Sequence, residues 1–149
     1  LQQIVRYAFA TGTATWLGAA RGSDLLHVLP GPAGTALVTT APRTEIQVLD
    51  PAGKLERSIV LPTRVYQAEV DDDGNVAAQV EVGRHRQIHY LPKDGSAARK
   101  LGPGKGDGSP IFIEGGRSVL MTAVPEGGRD TILSCPIDGS ACRTVATPG

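Results

Sequence analysis

The chain has 149 residues, with fifteen basic and fifteen acidic side chains and no formal net charge. That length fits one domain, and the charge balance argues against a chain that holds nucleic acid or a membrane surface through its overall field. No apolar run approaches the ~20 residues of a membrane-crossing helix, and no signal peptide stands at the start; the first residue is Leu rather than Met, so a removed targeting segment stays open.

In chain order, the opening "IVRYAFATGTATWLGAAR" reads as two strands around a Gly turn, and it aligns with "QIHYLPKDGSAARKLGPG" farther on. Three fuller segments follow, starting at Val28, Ala68 and Phe112. Each holds a short strand, a Gly turn (PAG, DDDG, EGG) and a strand of small apolar residues (TALVTT, NVAAQVEV, SVLMTAV). A polar loop follows (APRTE, GRHRQ, PEGGRD), then a third strand (IQVLD, IHYLP, ILSCP), a second Gly turn (PAGK, KDGS, IDGS) and a fourth strand (LERSIVL, AARKL, CRTVA). Glycine suits these turns because tight hairpins need positive φ at a central position.

Four antiparallel strands repeated every forty-odd residues are the sequence signature of a propeller blade. One such sheet cannot cover both of its faces, whereas stacked copies cover one another. The expected fold is all-β, a partial β-propeller over residues 1–149 of about three and a half blades. The half-blade is expected over 1–21 and the blades over 22–62, 63–104 and 105–149. The competing reading, a β-sandwich of short strands, leaves the shared register of three segments unexplained. Propellers commonly have four to eight blades, so the chain is expected to be completed by further sequence, by another chain or by a copy of itself.

Asp73-Gly74, the strand Val76 to Val80, Tyr90, Asp94-Gly95 and the run Arg99 to Leu101 together resemble the TolB-like (WD40-like, PD40) propeller repeat. The resemblance extends over nearly the whole chain. It departs at the first turn, where the usual Ser-Pro-Asp-Gly is Asp71-Asp72-Asp73-Gly74. It implies a propeller whose use is protein contact; the Gly, Ala and Arg content looks like that of a high-GC bacterium.

"CPIDGSAC", Cys135 to Cys142, nearly copies "LPKDGSAA", Leu91 to Ala98. With Asp138-Gly139 as a two-residue turn the cysteines would face each other across a hairpin, at a Cα spacing of ~5.5 Å that suits a disulfide. The alternative is two free thiols in a reducing compartment. A bridge places the protein outside the cytosol.

In blade geometry the loops between second and third strands share an end with the connections between blades. That end gathers Arg43, Arg84, His85, Arg86, Lys105 and Arg129, diluted by Asp107, Glu126 and Asp130, while Asp71, Asp72, Asp73, Asp94 and Asp138 collect at the other. The basic end is the candidate binding face for an anionic group such as a peptide carboxylate or a phosphate. "LGPGKGDGSP" fails as a phosphate loop, because Gly106 follows Gly-Lys where Ser or Thr is needed, and reads as a flexible connection. "VDDDGN" fails as a calcium loop and reads as a solvated acidic turn.

Little points to catalysis. No Gly-x-Ser-x-Gly elbow is present, and neither a metal set nor a cofactor is expected. His89 reads as a packed strand residue, Tyr7 and Trp16 as packing residues. The first strands, which would line a central channel, offer only His27, Gln67 and Glu69, with Glu114 at a turn. The expected function is a non-enzymatic module that binds protein or peptide at its rim. The alternatives are the propeller part of an enzyme whose active residues lie elsewhere, and a self-assembling half-propeller.

Overall fold

The computed structural model describes residues 2–20, 25–31, 34–39, 44–124 and 128–147. Every regular element among them is a strand: β1 (Gln2–Ala8), β2 (Thr13–Ala20), β3 (Leu25–Gly31), β4 (Gly34–Thr39), β5 (Glu45–Leu49), β6 (Leu55–Val60), β7 (Val65–Val70), β8 (Val76–Val82), β9 (His85–Leu91), β10 (Arg99–Leu101), β11 (Gly108–Ile113), β12 (Ser118–Ala123), β13 (Thr131–Pro136) and β14 (Arg143–Ala146). They form a pair, β1–β2, and three four-stranded antiparallel sheets in plain sequential order: β3–β6, β7–β10 and β11–β14.

The side-chain period of two decides how the sheets stack. On β8, Val76, Ala78 and Val80 join Val38, Ile46, Val48, Val65, Ala68, Val70 and Leu91 in a core between the first and second sheets. The next residue over, Ala77, points the other way, into a core with Ile88, Tyr90, Leu101, Val119, Met121 and Cys135 that joins the second and third sheets. Hence β8 is buried on both faces. β12 is not: Val119, Met121 and Ala123 are buried, but Leu120 is half-exposed and Thr122 exposed. Register puts Ile111 opposite Leu120 and Ile132 opposite Thr122, on the face turned away from the second sheet. Ile111 there is 49% exposed. The β1–β2 pair likewise shows Val5, Tyr7 and Phe9 at alternate positions, with Phe9 90% exposed and edge-on to Tyr7.

The doubled turn has one hydrogen-bond pattern in both copies. Gly95 N–H donates to the Pro92 carbonyl and Gly139 N–H to the Pro136 carbonyl, each at 3.2 Å. Ser96 N–H meets Asp94 Oδ1 and Ser140 N–H meets Asp138 Oδ1, each at 2.8 Å. Gly95 and Gly139 take φ of 78° and 85°. The turn is therefore centred on Ile137-Asp138, one residue earlier than the two-residue turn expected from the sequence, with Gly139 as the left-handed residue after it. The cysteines still face each other, since the pairing Ser134↔Arg143 carries on to Cys135 and Cys142. They are bridged, with Cα atoms 4.2 Å apart.

The acidic turn is a correction of another kind. Asp71 is buried rather than solvated. Its Oδ1 accepts from the Asp73 and Asn75 N–H groups at 3.0 and 2.8 Å, and its Oδ2 from the Asn75 amide at 2.8 Å. Asp50 repeats the two backbone bonds with Ala52 and Lys54. In both hairpins the first residue's carboxylate closes the turn, as Asp commonly does. Only Asp72 and Asp73 reach solvent.

The fourth strands of the first two sheets each carry an arginine that ties the neighbouring sheet. Arg57 Nη1 donates to the Pro92 carbonyl at 3.2 Å, and Arg99 Nη1 to the Ile137 carbonyl at 3.0 Å, each at the outer turn of the following sheet. Arg143 holds the same place in the last sheet and turns back to Glu114 Oε1 of its own sheet at 3.3 Å.

The Gly-rich connection between β10 and β11 is folded around a carboxylate. Asp107 is fully buried and its Oδ2 accepts from Gly104 N–H at 2.7 Å. Its carbonyl accepts from the Gln79 amide at 2.7 Å. Burial pushes the Asp107 carboxyl pKa up, with the Gly104 bond, the Lys100 ammonium and the Lys105 N–H opposing. Gly102 in this loop has φ of 74°, and a Cβ there would lie 2.7 Å from Met121 Sδ, so glycine is required.

Two outcomes follow. Asp107→Ala is expected to lower stability by about 1–3 kcal/mol by stranding the loop N–H groups, whereas Asp107→Asn keeps an acceptor and is tolerated. Because the folded carboxyl holds its proton to higher pH than the unfolded one, its stabilising contribution is complete below pH ~4 and is lost as pH rises through the raised folded value. Urea midpoints measured across that window should therefore fall less with pH in the Asn variant than in the parent. Separately, Arg99→Ala should cost about 1–2 kcal/mol, since a charged donor to a carbonyl is lost along with packing of its stem. Arg143→Ala removes only an exposed pair, worth ~0–1 kcal/mol. Equal losses at the two positions would contradict the inter-sheet role.

Candidate functional site

Three connections meet at one end of the second sheet. The segment before β7 is pinned to the β8–β9 hairpin: Glu81 N–H donates to the Arg64 carbonyl at 2.8 Å, and the Thr63 hydroxyl donates to the Glu81 carbonyl. The Gly-rich loop is pinned to the same hairpin, with Gly106 and Asp107 N–H groups both donating to the Arg86 carbonyl at 3.1 and 3.0 Å. The buried Asp107 carboxylate thus holds the loop that holds the backbone of Arg86.

The first strands carry a shared irregularity at this end. Register slips by one residue between Leu25 and His27, between Val65 and Gln67, and between Gly108 and Ile111. A bulge re-aims the side chain it inserts. In β7 that residue is Tyr66, half-buried. The Arg86 guanidinium carbon lies 4.2 Å from its ring centroid and that of Arg64 4.9 Å. Two cations on one ring repel each other, and each ring contact offsets this by about 0.5–1 kcal/mol at an exposed site. Neither guanidinium has a carboxylate partner among the described residues.

Of the residues expected on the basic face, Arg84, His85 and Arg86 sit exposed together at the hairpin tip and the start of β9. Lys105 is exposed on the loop docked against Arg86. Arg129 is exposed before β13, where its carbonyl accepts from the Thr131 hydroxyl at 3.1 Å; no contact joins its side chain to the Arg86 group among the described residues. Arg43 lies outside the described residues, as does Glu126. Asp107, expected to dilute the face, is inside the protein. Arg64 and Tyr66 were missed. An Arg-x-Tyr before an inner strand is a signal only once the bulge is known.

The inner strands hold little that could act on a substrate. Glu69 is half-buried, its Oε2 accepts from Phe112 N–H of the adjacent inner strand at 2.7 Å, and burial raises its pKa against that bond. His89 Nε2 lies 3.2 Å from Gln87 Oε1, and burial, then the Lys100 charge, lower its pKa. Of His27 and Trp16 only the backbone is described. No group of three or more His, Cys, Asp or Glu side chains is arranged for a metal among the described residues. At the other end of the sheets the exposed Asp94 and Asp138 carboxyls are held below their usual pKa by the Ser96 and Ser140 N–H groups. A groove of ≈550 Å³ runs beside the disulfide, between Leu101, Pro103 and Leu133.

No family model matches the chain, and no curated protein sequence matches it. Solved structures do. A dipeptidyl peptidase 4 from Porphyromonas gingivalis superposes over 97% of this chain with a TM-score of 0.73 at 16% identity. TolB from Acinetobacter baumannii superposes over 96% with a TM-score of 0.71 at 14% identity. The chain spans 22% of the first protein and 37% of the second. Identities this low speak to fold alone, and they agree with the order of sheets seen here: the chain has a TolB-like β-propeller fold.

Proposed function

We propose that the chain is part of a larger, non-enzymatic propeller that works outside the cytoplasm and binds protein or peptide at its basic end. The observation that carries the reading is the cluster of exposed basic side chains, Arg84, His85 and Arg86 with Lys105, held on a pinned hairpin and loop. Rigid presentation lowers the ordering cost of binding, and a local positive field draws anionic partners even in a neutral chain. The Cys135–Cys142 bridge supports an oxidising compartment. A larger ring is supported by the open ends: the exposed Ile111 face of the last sheet and the exposed Val5, Tyr7 and Phe9 of the β1–β2 pair. In a closed ring both would be covered by sheets of the same kind, contributed by further chain, another chain or a second copy.

Two measurements test this. On an array of immobilised decapeptides of graded charge, the chain should be retained by the acidic ones. Retention should fall as salt is raised and drop severalfold in the Arg84→Gln/Lys105→Gln variant. Retention that ignores peptide charge and both substitutions would remove the basic end from the proposal. Reduction of the bridge should cost about 2 kcal/mol of stability, the size expected for a short loop. Protein isolated under thiol-trapping conditions should show no free cysteine; two trapped thiols would contradict the extracytoplasmic assignment.

A further inference from the structure

Within the basic end, one arrangement has a more defined chemistry than the rest. Tyr66 stands out of β7 on its bulge, and the guanidiniums of Arg64 and Arg86 lie over its ring at 4.9 and 4.2 Å. The backbones of both arginines are fixed, Arg64 by the bond from Glu81 and Arg86 by the two from Gly106 and Asp107. Their side chains are exposed, and none of their guanidinium N–H groups has a protein acceptor among the described residues. A guanidinium stacked on a ring keeps its edge free for an oxyanion, and the stacking limits the rotamers it must give up on binding.

We propose that Arg64, Tyr66 and Arg86 form a clamp for a peptide carboxylate, an Asp or Glu side chain of the bound partner. This rests on the reading of the basic end as a peptide-binding face and names the group recognised there. Carboxylate is favoured over phosphate by the state of the neighbouring loop. Phosphate sites in Gly-rich loops use converging backbone N–H groups. Here the loop N–H groups are already committed: Gly104 to the Asp107 carboxylate, with Lys105 N–H facing the same group, and Gly106 and Asp107 to the Arg86 carbonyl. What remains for an anion is the pair of planar forks, which match a carboxylate edge to edge. Glu81, opposite Arg86 in the ladder, His85 and Lys105 border the clamp. The carboxylate must therefore enter from the solvent side of the ring.

The test is NMR of the chain with labelled tyrosine rings and arginine Nε–Hε groups, titrated with Ac-Asp-Glu-NH2, with its diamide Ac-Asn-Gln-NH2 and with inorganic phosphate. The diacid should shift the Tyr66 ring and the Arg64 and Arg86 signals saturably, and the diamide should not. Arg64→Gln, Arg86→Gln and Tyr66→Leu should each weaken the diacid at least fivefold, while Lys54→Gln at the opposite end leaves it unchanged. Spectra of each variant report whether it is folded; should Tyr66→Leu unfold, Tyr66→Phe keeps the ring and should retain binding. The proposal is overturned if diacid and diamide shift the ring alike, if phosphate saturates the same signals at lower concentration, or if the arginine variants bind as the parent does. Silence at Tyr66 from a chain that is still retained by acidic peptides on the array overturns the clamp and leaves the wider reading standing. Loss of both removes both.

Discussion

A four-stranded sheet of small apolar residues has two faces to hide and nothing within itself to hide them with. β8 shows how this chain meets that constraint. Val76, Ala78 and Val80 go into one inter-sheet core and Ala77 into the next, with Gln79 turned to bond Asp107 on the same side as Ala77. At about 1.5–3 kcal/mol for each valine-sized side chain removed from water, these two seams outweigh any single hydrogen bond in the chain. Small residues in the middle strand keep the sheets close, so the volume is filled from the neighbours, by Ile46, Ile88 and Met121. The same constraint, unmet, explains the exposed Ile111 face and the exposed Val5 and Tyr7 of β1.

Carboxylates set the ends of the sheets once the seams have set their stacking. Asp71 and Asp50 turn inward to close hairpins. Asp107 does the same for a whole connection and, through the Arg86 carbonyl, fixes the cation-bearing hairpin beside it. The arginines divide: Arg57 and Arg99 are spent on carbonyls of the adjoining sheet, whereas Arg64 and Arg86 are left on the surface, steadied by a ring.

The repeat made the architecture legible. Alternation in "NVAAQVEV" and the recurring Gly turns identify strands and their order, and a hairpin turn between Cys135 and Cys142 sets them face to face, although the turn lies one residue earlier than the sequence suggests. Charge was less legible, because a residue letter does not say which way a carboxylate points. Asp71 and Asp107 look like solvated loop residues until their N–H partners are known. Bulges were not legible at all: nothing in "RVYQAEV" says that Tyr66 is the inserted residue, so Arg64 and Tyr66 stayed out of the expected face.

Amide hydrogen exchange across β8 and β12 tests the central claim most directly. Both are second strands, with a hydrogen-bonded neighbour on each side, so their ladders alone would protect them equally. If burial on two faces is what holds the structure, β8 amides will be the slowest in the chain, β12 amides measurably faster, and β1 amides faster still. Equal protection of β8 and β12 would mean that the ladders, not the seams between sheets, carry the fold.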